Sequence, residues 1–436
     1  MTTINTKALP GFMELKPNEQ VAFNRMLDEI RYVYELFGFR PIDTPVLERA
    51  EVLLAKSGGE TEKQIYTFSK GDTNMAMRFD LTVPLARYVA DNENELTFPF
   101  KRYAIGKVYR GERPQAGRFR EFYQCDIDVI DRDSLDLSYD AEVVAVAVTV
   151  FKRLGFEKFT VRINNRKILN GLLEEYSLGD KYADILRIMD KMGGVPEDVV
   201  LEEFKVIGLD NSQIDRVLGI SEFKNLEEKD IFNKLREIQK DSRVLEEGIN
   251  ELETVVEKIK DFGVDERNFK IDLTLARGLD YYTGTVYETI LDEYPEIGSV
   301  CGGGRYDNLS EYYTKSRYPG VGISIGFTRL FDQLYSRGLI NTEKQTPTTV
   351  LILSMVDDDR YSYDLAKYLR DNGISTEVFG SGISVKKQLK YADRLNIPFV
   401  IFVGDEEVKN STYSVKDMRK GEQVSTDMEN ILNIVK

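Results

Sequence analysis

The stretch KRYAIGKVYRGERPQAGRFREFYQCDIDVI, residues 101–130, decides the fold of this chain. Two strand-like runs, residues 102–110 and 120–130, flank the polar loop GERPQAG, and this pattern predicts an antiparallel hairpin with a long tip. Side chains alternate between the faces of a strand, so one face of the second run is polar and carries Phe122, Gln124, Asp126 and Asp128. The opposite face is predicted to be core and carries Tyr123, Cys125, Ile127 and Val129.

The polar face has two interpretations: an ordinary solvated sheet face, or the floor of a site for a polar ligand with a planar ring. The flanking arginines favour the second. Arg110 ends the first run and Arg118 enters the next, so the hairpin places both guanidinium groups at one end of this face. Because arginine forks suit phosphate oxygens, we expect an adenine to stack on Phe122 while its phosphates reach Arg110 and Arg118.

The formal net charge of −15 is unfavourable for broad nucleic-acid binding, because phosphate contacts come from Lys and Arg. Any RNA contact must therefore be local. The best candidate is the basic segment 101–120, with a solvated loop as the alternative. Its cations, set against the single acid Glu112, are Lys101, Arg102, Lys107, Arg110, Arg113, Arg118 and Arg120.

The chain contains no histidine, the side chain best matched to proton transfer near neutral pH. Hydrolase chemistry of the Ser-His-Asp kind is thereby disfavoured, and catalysis must use arginine electrostatics or the substrate's own groups. The two cysteines, Cys125 and Cys301, are far apart and belong to no CxxC or Cys/His cluster. This argues against a disulfide framework and structural zinc, and it predicts that both thiols are buried.

No apolar run approaches the ~20 residues that a membrane span needs, and residues 1–9 lack the apolar segment of a secretory signal. We therefore expect a soluble, cytoplasmic protein without membrane contact. Its 436 residues suggest two or three domains on the usual scale of ~100–200 residues each.

Hydrophobic periodicity divides the chain into three predicted regions. Residues 1–168 and 265–336 are predicted to form one domain, interrupted by the charged, helix-rich residues 169–264. After a polar linker, residues 347–436 alternate as β-α-β-α-β, which predicts a separate α/β domain.

Within the first domain, residues 19–37 have the apolar spacing of an amphipathic helix, and the proline-containing residues 39–48 suit an edge strand or an interface element. Alternation predicts strands over residues 75–79 and 269–275, and Thr82 looks like a helix start.

Three further segments carry candidate chemistry. Residues 275–288, LARGLDYYTGTVYE, would bring a cation and two phenols to the mouth of the sheet. The glycines at 302–304 permit close backbone approach to a ligand, although turns use such runs too, and Tyr306 follows them. Residues 320–330, GVGISIGFTRL, predict a strand running into a helix with Arg329 in its first turn. The helix dipole does not favour a cation there, so Arg329 suggests a phosphate or nucleotide partner. A surface arginine is the alternative.

Together these segments resemble the three signature motifs of class II aminoacyl-tRNA synthetases: residues 39–48 motif 1, residues 101–130 motif 2 and residues 320–330 motif 3. RGLDYY at 277–282 and GGGRYD at 302–307 are similar to signatures specific to histidyl-tRNA synthetases. The likeness covers nearly the whole chain. It implies an α+β catalytic domain with a mixed, mainly antiparallel sheet, a helical insertion and a C-terminal α/β anticodon-binding domain.

The resemblance also implies the activity: ATP-dependent formation of histidyl-adenylate from L-histidine, then transfer to the 3′ end of tRNA(His). Arg110 and Arg277 would be catalytic, with Arg277 doing part of the work of a magnesium ion. The ATP-binding residues would be Arg110, Glu112, Arg118, Phe122 and Arg329. The histidine-binding residues would be Asp80, Leu81, Thr82, Arg110, Gln124, Asp128, Arg277, Tyr281, Tyr282 and Tyr306.

For the partners, the resemblance implies that Arg113 and Gln115 contact tRNA, that Mg²⁺ arrives with ATP rather than on a protein metal site, and that the chain forms a homodimer through motif 1. REFYQCD, residues 120–126, looks more like the archaeal and eukaryotic branch, whereas Arg113 and Gln115 resemble the bacterial pair. Two rivals share the fold. One is a histidine-binding regulatory paralogue of a phosphoribosyltransferase, and the other is the sensor domain of a translation-factor kinase.

Overall fold

The computed structural model describes residues 4–55, 60–113, 117–189, 192, 195–275, 282–380 and 382–436. The chain forms two compact units. One comprises Asp28–Leu334 with the N-terminal residues up to Met13, and the other comprises Glu14–Leu27 and Tyr335–Lys436. The first unit contains the predicted insertion and most of the predicted catalytic domain, of which residues 14–27 and 335–336 belong to the second unit. The boundary between the insertion and the catalytic domain stays a prediction.

The predicted order of elements is visible in the chain up to residue 336. Its helices are α1 (Pro17–Leu36), α2 (Ala50–Leu54), α3 (Glu60–Gln64), α4 (Thr82–Asp91), α5 (Ser138–Arg153), α6 (Arg166–Glu175), α7 (Tyr182–Met189), α8 (Glu197–Val206), α9 (Asn211–Gly219), α10 (Glu228–Ile238), α11 (Arg243–Asp261) and α12 (Phe327–Ser336). Its strands are β1 (Arg40–Pro41), β2 (Leu47–Arg49), β3 (Thr67–Lys70), β4 (Thr73–Met77), β5 (Phe100–Tyr109), β6 (Glu121–Ile130), β7 (Phe159–Asn165), β8 (Phe269–Ile271), β9 (Thr285–Leu291), β10 (Ser299–Tyr306) and β11 (Gly320–Ile325).

The main sheet has eight strands in the order β1-β5-β6-β11-β10-β9-β7-β8. Among the described strands of this sheet, only the outermost pairs, β1 with β5 and β7 with β8, are parallel. The predicted mixed, mainly antiparallel sheet is therefore confirmed. Because β6 is central, the polar face of residues 120–130 lies in the middle of the sheet, and the proline-containing segment forms the edge strand β1 as predicted.

The alternation predicted for β6 holds in the structure. Cys125, Ile127 and Val129 are fully buried, and the hydroxyl of Tyr34 on α1 donates a hydrogen bond of 2.9 Å to the carbonyl oxygen of Cys125. Cys301 is buried too, and both thiols are free, as predicted. In the described part of the chain, no helix has both the length and the apolar character needed to cross a membrane.

One local prediction differs from the structure. The strand predicted over residues 269–275 ends at Ile271, because the Asp272 side chain accepts a hydrogen bond from the Thr274 backbone N–H and starts a turn. The glycine run 302–304 belongs to β10 rather than to a turn, and a Cβ on Gly303 would collide with the carbonyl oxygen of Gly322 on β11. Close strand packing therefore demands glycine at position 303.

The helix-rich region is tied to the sheet by a close helix crossing. A Cβ on Gly171 of α6 would collide with the backbone of Leu245 on α11, and one on Gly248 of α11 would meet Ile168 of α6. The apolar stripe predicted on α11 is buried: Leu245, Ile249, Leu252, Val256 and Ile259. The predicted insertion, residues 169–264, thus begins within α6 and ends after α11, two helices that pack against each other.

The second unit contains the predicted β-α-β-α-β alternation, extended by two antiparallel strands and two short helices. Its elements are β12 (Val350–Ser354), α13 (Arg360–Asp371), β13 (Thr376–Phe379), α14 (Val385–Arg394), β14 (Phe399–Val403), α15 (Asp405–Asn410), β15 (Tyr413–Asp417), β16 (Gln423–Thr426) and α16 (Met428–Val435). The strand order is β13-β12-β14-β15-β16, with β13, β12 and β14 parallel.

The arginine of the GGGRYD segment has a structural position. Arg305 is buried and its Nε donates to Asp140 Oδ2 of α5 at 3.1 Å, while its Nη2 donates to the Leu135 carbonyl oxygen at 3.1 Å. Asp140 is also fully buried. This ion pair fastens α5 to β10, the strand that carries Tyr306.

We predict that Arg305→Met lowers the free energy of unfolding by about 3–5 kcal/mol, because the charge of Asp140 loses its partner inside the protein. Urea unfolding followed by circular dichroism measures the change. Arg317→Met, at a side chain that is 57% exposed, is the matched control and should leave the midpoint nearly unchanged. Equal effects of the two substitutions would contradict the structural role of Arg305.

Candidate active site

A cavity of about 510 Å³ lies over the polar face of β6. It is lined by the four polar-face residues of that strand, Phe122, Gln124, Asp126 and Asp128. Backbone and side chains of β10 and β11 form another wall, including Gly302, Gly303 and Ser324. The sheet face predicted as a ligand floor is therefore the floor of a cavity rather than a solvated surface.

The deepest part of the floor is an ion pair. Arg102 lies opposite Asp128 in the β5–β6 register, is fully buried, and forms a salt bridge with Asp128. Its Nη2 also donates to the carbonyl oxygen of Leu81 at 3.1 Å. The Tyr306 hydroxyl donates to Asp128 Oδ1 at 2.8 Å. Asp128 is thus held from two sides by donors on β5 and β10.

A second carboxylate, Asp80, stands at the start of α4. Its Oδ1 accepts a hydrogen bond of 3.1 Å from the backbone N–H of Val83, in the first turn of the helix. Among the described residues its Oδ2 has no hydrogen-bond partner although it is buried. Thr82, the first residue of α4, also lines the cavity.

The mouth of the cavity carries arginines. The Arg110 guanidinium lies 5.2 Å from the centre of the Phe122 ring, and its Nε donates to the Phe79 carbonyl oxygen at 3.0 Å. Arg118 lies 3.7 Å from the Glu112 carboxylate. Arg329, in the first turn of α12 as predicted, donates to the Ile297 carbonyl oxygen. Since Arg110 covers one face of Phe122, an adenine stacked on this ring would use the other face.

Comparisons with known proteins agree with this geometry. The family model described as "Histidyl-tRNA synthetase" matches residues 11–330, and that described as "Anticodon binding domain" matches residues 349–436. The chain belongs to the histidyl-tRNA synthetase family. It is 51% identical over 434 residues to a histidine–tRNA ligase of Clostridium tetani, covering 99% of this chain and 98% of that protein.

Solved structures support the assignment. A histidyl-tRNA synthetase of Nostoc sp. PCC 7120 has a TM-score of 0.90 and 37% identity, with 99% of each chain covered. A Bacillus halodurans protein titled as an ATP phosphoribosyltransferase regulatory subunit/histidyl-tRNA synthetase has a TM-score of 0.74 and 22% identity, covering 90% of this chain and 97% of that one, and shows the fold alone. The class II fold and the histidine–tRNA ligase predicted from the sequence are confirmed.

Most of the predicted site residues of this synthetase meet in the one cavity. Those that line it are Asp80, Thr82, Arg110, Glu112, Arg118, Phe122, Gln124, Asp128, Tyr282, Tyr306 and Arg329. Leu81 does not line it: its side chain packs against Ala104 and Val108. Arg113 is exposed and outside the lining. Arg277, Tyr281 and Gln115 lie outside the described residues.

The prediction of a local RNA-binding segment over residues 101–120 is wrong for Arg102, which is fully buried under the site. Lys101 Nζ contacts Glu142 Oε1 at 2.6 Å, and Lys107 Nζ contacts Glu121 Oε1 at 2.8 Å. For the other cations of the segment, RNA binding stays a prediction. The number of basic residues in a segment does not show which of their side chains point into the protein from a central strand.

Three residues of the site region were missed as individual site residues: Arg102 counted only as a basic residue, Asp126 only as a member of the polar face, and Ser324 had no predicted role. The predicted hairpin contained the signal for Arg102, because pairing Arg110 with Arg120 across the loop also sets Arg102 opposite Asp128. Ser324 pairs with Asp126 across β6 and β11, which are far apart in sequence. That pairing was not visible before the sheet order was known.

Burial shifts the acids on the cavity floor. Desolvation raises the pKa of Asp80 and of Asp128 to about 6, and that of Asp126 to about 7. For Asp126, the charge of Arg102 and a hydrogen bond from Ser324 oppose this rise, while the neighbouring Asp128 and Asp80 add to it. The floor is therefore an acceptor-rich, negatively charged surface that is incompletely neutralised without a cationic ligand.

We predict that the free energy of unfolding falls less with rising pH in Asp126→Asn than in the wild type. The native pKa of Asp126 lies far above its ordinary value of 3.8. At low pH the acid is protonated in both the folded and the unfolded state; at high pH it is ionised in both, but only the folded state bears the cost of desolvating the charge. This group therefore removes stability as the pH rises from about 4 through about 7, and Asn abolishes that contribution.

Thermal unfolding midpoints at pH 5.5 and 8 test this prediction. The decline between the two pH values should be several degrees smaller for Asp126→Asn than for the wild type, since each unit of pKa shift corresponds to about 1.4 kcal/mol. Asp72→Asn, at an exposed position, is the control and should match the wild type. Parallel pH profiles for all three proteins would contradict the burial argument.

Proposed function

We propose that the cavity binds L-histidine and ATP side by side, forms histidyl-adenylate and pyrophosphate, and then transfers the histidyl group to the 3′ end of tRNA(His). The observation that carries this proposal is the division of charge within one cavity. Buried carboxylates and an amide form the floor, whereas Arg110 lies against the Phe122 ring and Arg118 and Arg329 also line the cavity. A cationic amino acid suits the first surface, and a nucleotide triphosphate suits the second.

The order of groups along β6 gives the ligand a direction. Phe122 lies beside Arg110, Gln124 follows one two-residue step of ~7 Å along the strand, and Asp128 is the polar-face residue of β6 farthest along the strand from Phe122. A histidine whose carboxylate meets the α-phosphate beside Arg110 presents its α-ammonium group to Gln124. Its imidazole then points toward Asp128, where a ring N–H finds a carboxylate acceptor, while the Tyr306 hydroxyl keeps its hydrogen bond to the same carboxylate.

The proposed reaction needs no base from the protein. A carboxylate oxygen of histidine attacks the α-phosphorus, the bond from that phosphorus to the oxygen bridging to the β-phosphate breaks, and pyrophosphate leaves. A hydroxyl of the terminal adenosine of tRNA then attacks the carbonyl carbon, its proton passes to a phosphate oxygen of the adenylate, the bond from the carbonyl carbon to the phosphate oxygen breaks, and AMP leaves. Arg110 and Arg277 would stabilise the charge that develops on the α-phosphate, and the cavity would supply orientation. This agrees with a chain that has no histidine.

We propose that ATP is bound as its Mg²⁺ complex, with the ion neutralising charge on the phosphates. Mg²⁺ prefers oxygen ligands and is commonly bound through substrate phosphates and one or two carboxylates. Glu112 lines the cavity beside Arg118 and is an oxygen ligand of the right kind. It would hold the ion near the mouth, where the triphosphate is proposed to lie.

The proposed macromolecular partners are tRNA(His) and a second copy of the chain, in the cytoplasm. The anticodon-binding match over residues 349–436 supports the first, and Arg113 is exposed at the hairpin tip, where tRNA could reach it. For the second, the segment similar to motif 1 supplies β1, at the edge of the main sheet. The regulatory paralogue is not favoured, because the anticodon-binding match and the 51% identity to a ligase both support the synthetase.

Exchange of radiolabelled pyrophosphate into ATP, run without tRNA and with each of the twenty amino acids in turn, tests the proposed activity. We expect exchange with histidine alone. Histidine binding without any exchange would support the regulatory paralogue and overturn the proposal.

We further predict that Arg277→Ala lowers the histidine-dependent exchange rate by about 10²–10³-fold, the usual effect of removing one group that stabilises transition-state charge. Arg267→Ala, at a side chain that is 88% exposed, should exchange at the wild-type rate and is the matched control. Circular dichroism should show both variants folded. Wild-type turnover by Arg277→Ala would remove Arg277 from the mechanism.

A further inference from the structure

A hydrogen-bonded chain of three side chains crosses the cavity floor beside the Arg102–Asp128 pair. Gln124 Nε2 donates to Ser324 Oγ at 2.8 Å. Ser324 is the cross-strand partner of Asp126 in the β6–β11 register, and its hydroxyl is hydrogen-bonded to the Asp126 carboxyl. Asp126 is 2% exposed, so water contributes little to this arrangement.

The number of available hydrogens fixes the direction of the chain when Asp126 is ionised. An ionised carboxylate accepts hydrogen bonds only, so Ser324 then gives its single hydroxyl hydrogen to Asp126. Its lone pairs then face Gln124 and can only accept, which requires the NH₂ side of the Gln124 amide. The other end of the amide, Oε1, is buried and has no partner within the described residues, so it is left for a ligand.

We propose that Asp126 and Ser324 are positioning residues that lock the orientation of the Gln124 amide, so that its carbonyl oxygen meets the α-ammonium group of the bound amino acid. This inference rests on the proposed function, because the direction of histidine in the cavity follows from it. A Gln124 amide turned the other way would present two N–H donors to an ammonium group, which repels it.

The required ionised form of Asp126 depends on its neighbours, and a cation bound beside the carboxyl would lower its pKa. Arg102 on β5 contributes a positive charge, and the Nε and Nη1 of Arg102 have no hydrogen-bond partners among the described residues. The groups that oppose ionisation are the carboxyls of Asp128 and Asp80 and burial itself, which together raise the pKa of Asp126 to about 7. The other titratable neighbours are Tyr34, Cys125 and Cys301, whose thiol and phenol groups are buried.

A protonated Asp126 would reverse the chain. Its carboxylic acid would donate to Ser324, whose own hydrogen would then point to Gln124 and select the carbonyl side of the amide. The amide would turn its NH₂ group to the ligand. An Asn at position 126 can donate through its own NH₂ group and allows the same reversal, whereas Ala at position 324 removes the connection and frees the amide to take either orientation.

Two competitive inhibitors of histidine-dependent pyrophosphate exchange separate this role from general damage to the site. Histidinol keeps the imidazole and the ammonium group, whereas 3-(imidazol-4-yl)propanoate keeps the imidazole and the carboxylate but has no amino group. Inhibition constants for both are measured with the wild type, Ser324→Ala, Asp126→Asn and Ser324→Thr. Thermal unfolding checks that each variant is folded.

For Ser324→Ala and Asp126→Asn we expect histidinol to bind about tenfold more weakly, the scale of one lost hydrogen bond to a charged group. Binding of imidazolylpropanoate should change by less than about threefold. Ser324→Thr keeps the hydroxyl and should keep the wild-type ratio of the two constants.

Equal weakening of both inhibitors by Ser324→Ala or Asp126→Asn would overturn the orienting role, and so would an unchanged histidinol constant. If Ser324→Thr showed the same ratio of the two inhibition constants as Ser324→Ala, the hydroxyl would not determine the ratio. That result would also overturn the orienting role. A wild-type chain with no histidine-dependent exchange would instead overturn the proposed function, and the orienting role with it.

Discussion

The site depends on an arginine that has no access to solvent. Arg102 lies under the cavity at the centre of the β5–β6 hairpin, paired with Asp128 and bonded to the backbone of Leu81. Burying a charge is costly unless it is paired, and three acids in the same small volume could not remain ionised without a cation among them. Arg102 therefore allows the carboxylates of β6 to face a ligand. The site depends on the residues of β5, the strand that carries Arg102, as much as on those of β6.

The cavity separates two kinds of chemistry by distance along one strand. Hydrogen-bond acceptors lie at one end, where we propose that the amino acid binds, and arginines lie at the other, where we propose that the phosphates bind. A rigid sheet holds such groups in place without further reorganisation, which suits catalysis by orientation and charge stabilisation. This explains how an active site can work in a chain from which the usual proton-transfer side chain is missing altogether.

The sequence predicted those features that follow from local periodicity. The hairpin, the polar and apolar faces of β6, the helix carrying Arg329 and the alternation of the C-terminal unit needed only side-chain spacing. The predictions that were wrong concerned features that depend on tertiary contacts. Arg102 looked like a surface cation until its burial was known, and the strand after Phe269 ended early because Asp272 bonded to the backbone locally. Arg305 sits in a segment that resembles a substrate-binding signature but is bonded to α5.

The two cysteines flank Ile325 on either side, since Cys125 and Cys301 both pair with it in the sheet register. Burial raises the pKa of the Cys301 thiol to about 12 and that of Cys125 well above its ordinary value, so neither forms a reactive thiolate in the folded protein. A thiol reagent therefore does not react with either cysteine in the folded protein and labels both only after the central strands separate. The rate of labelling thus reports how often the catalytic sheet opens.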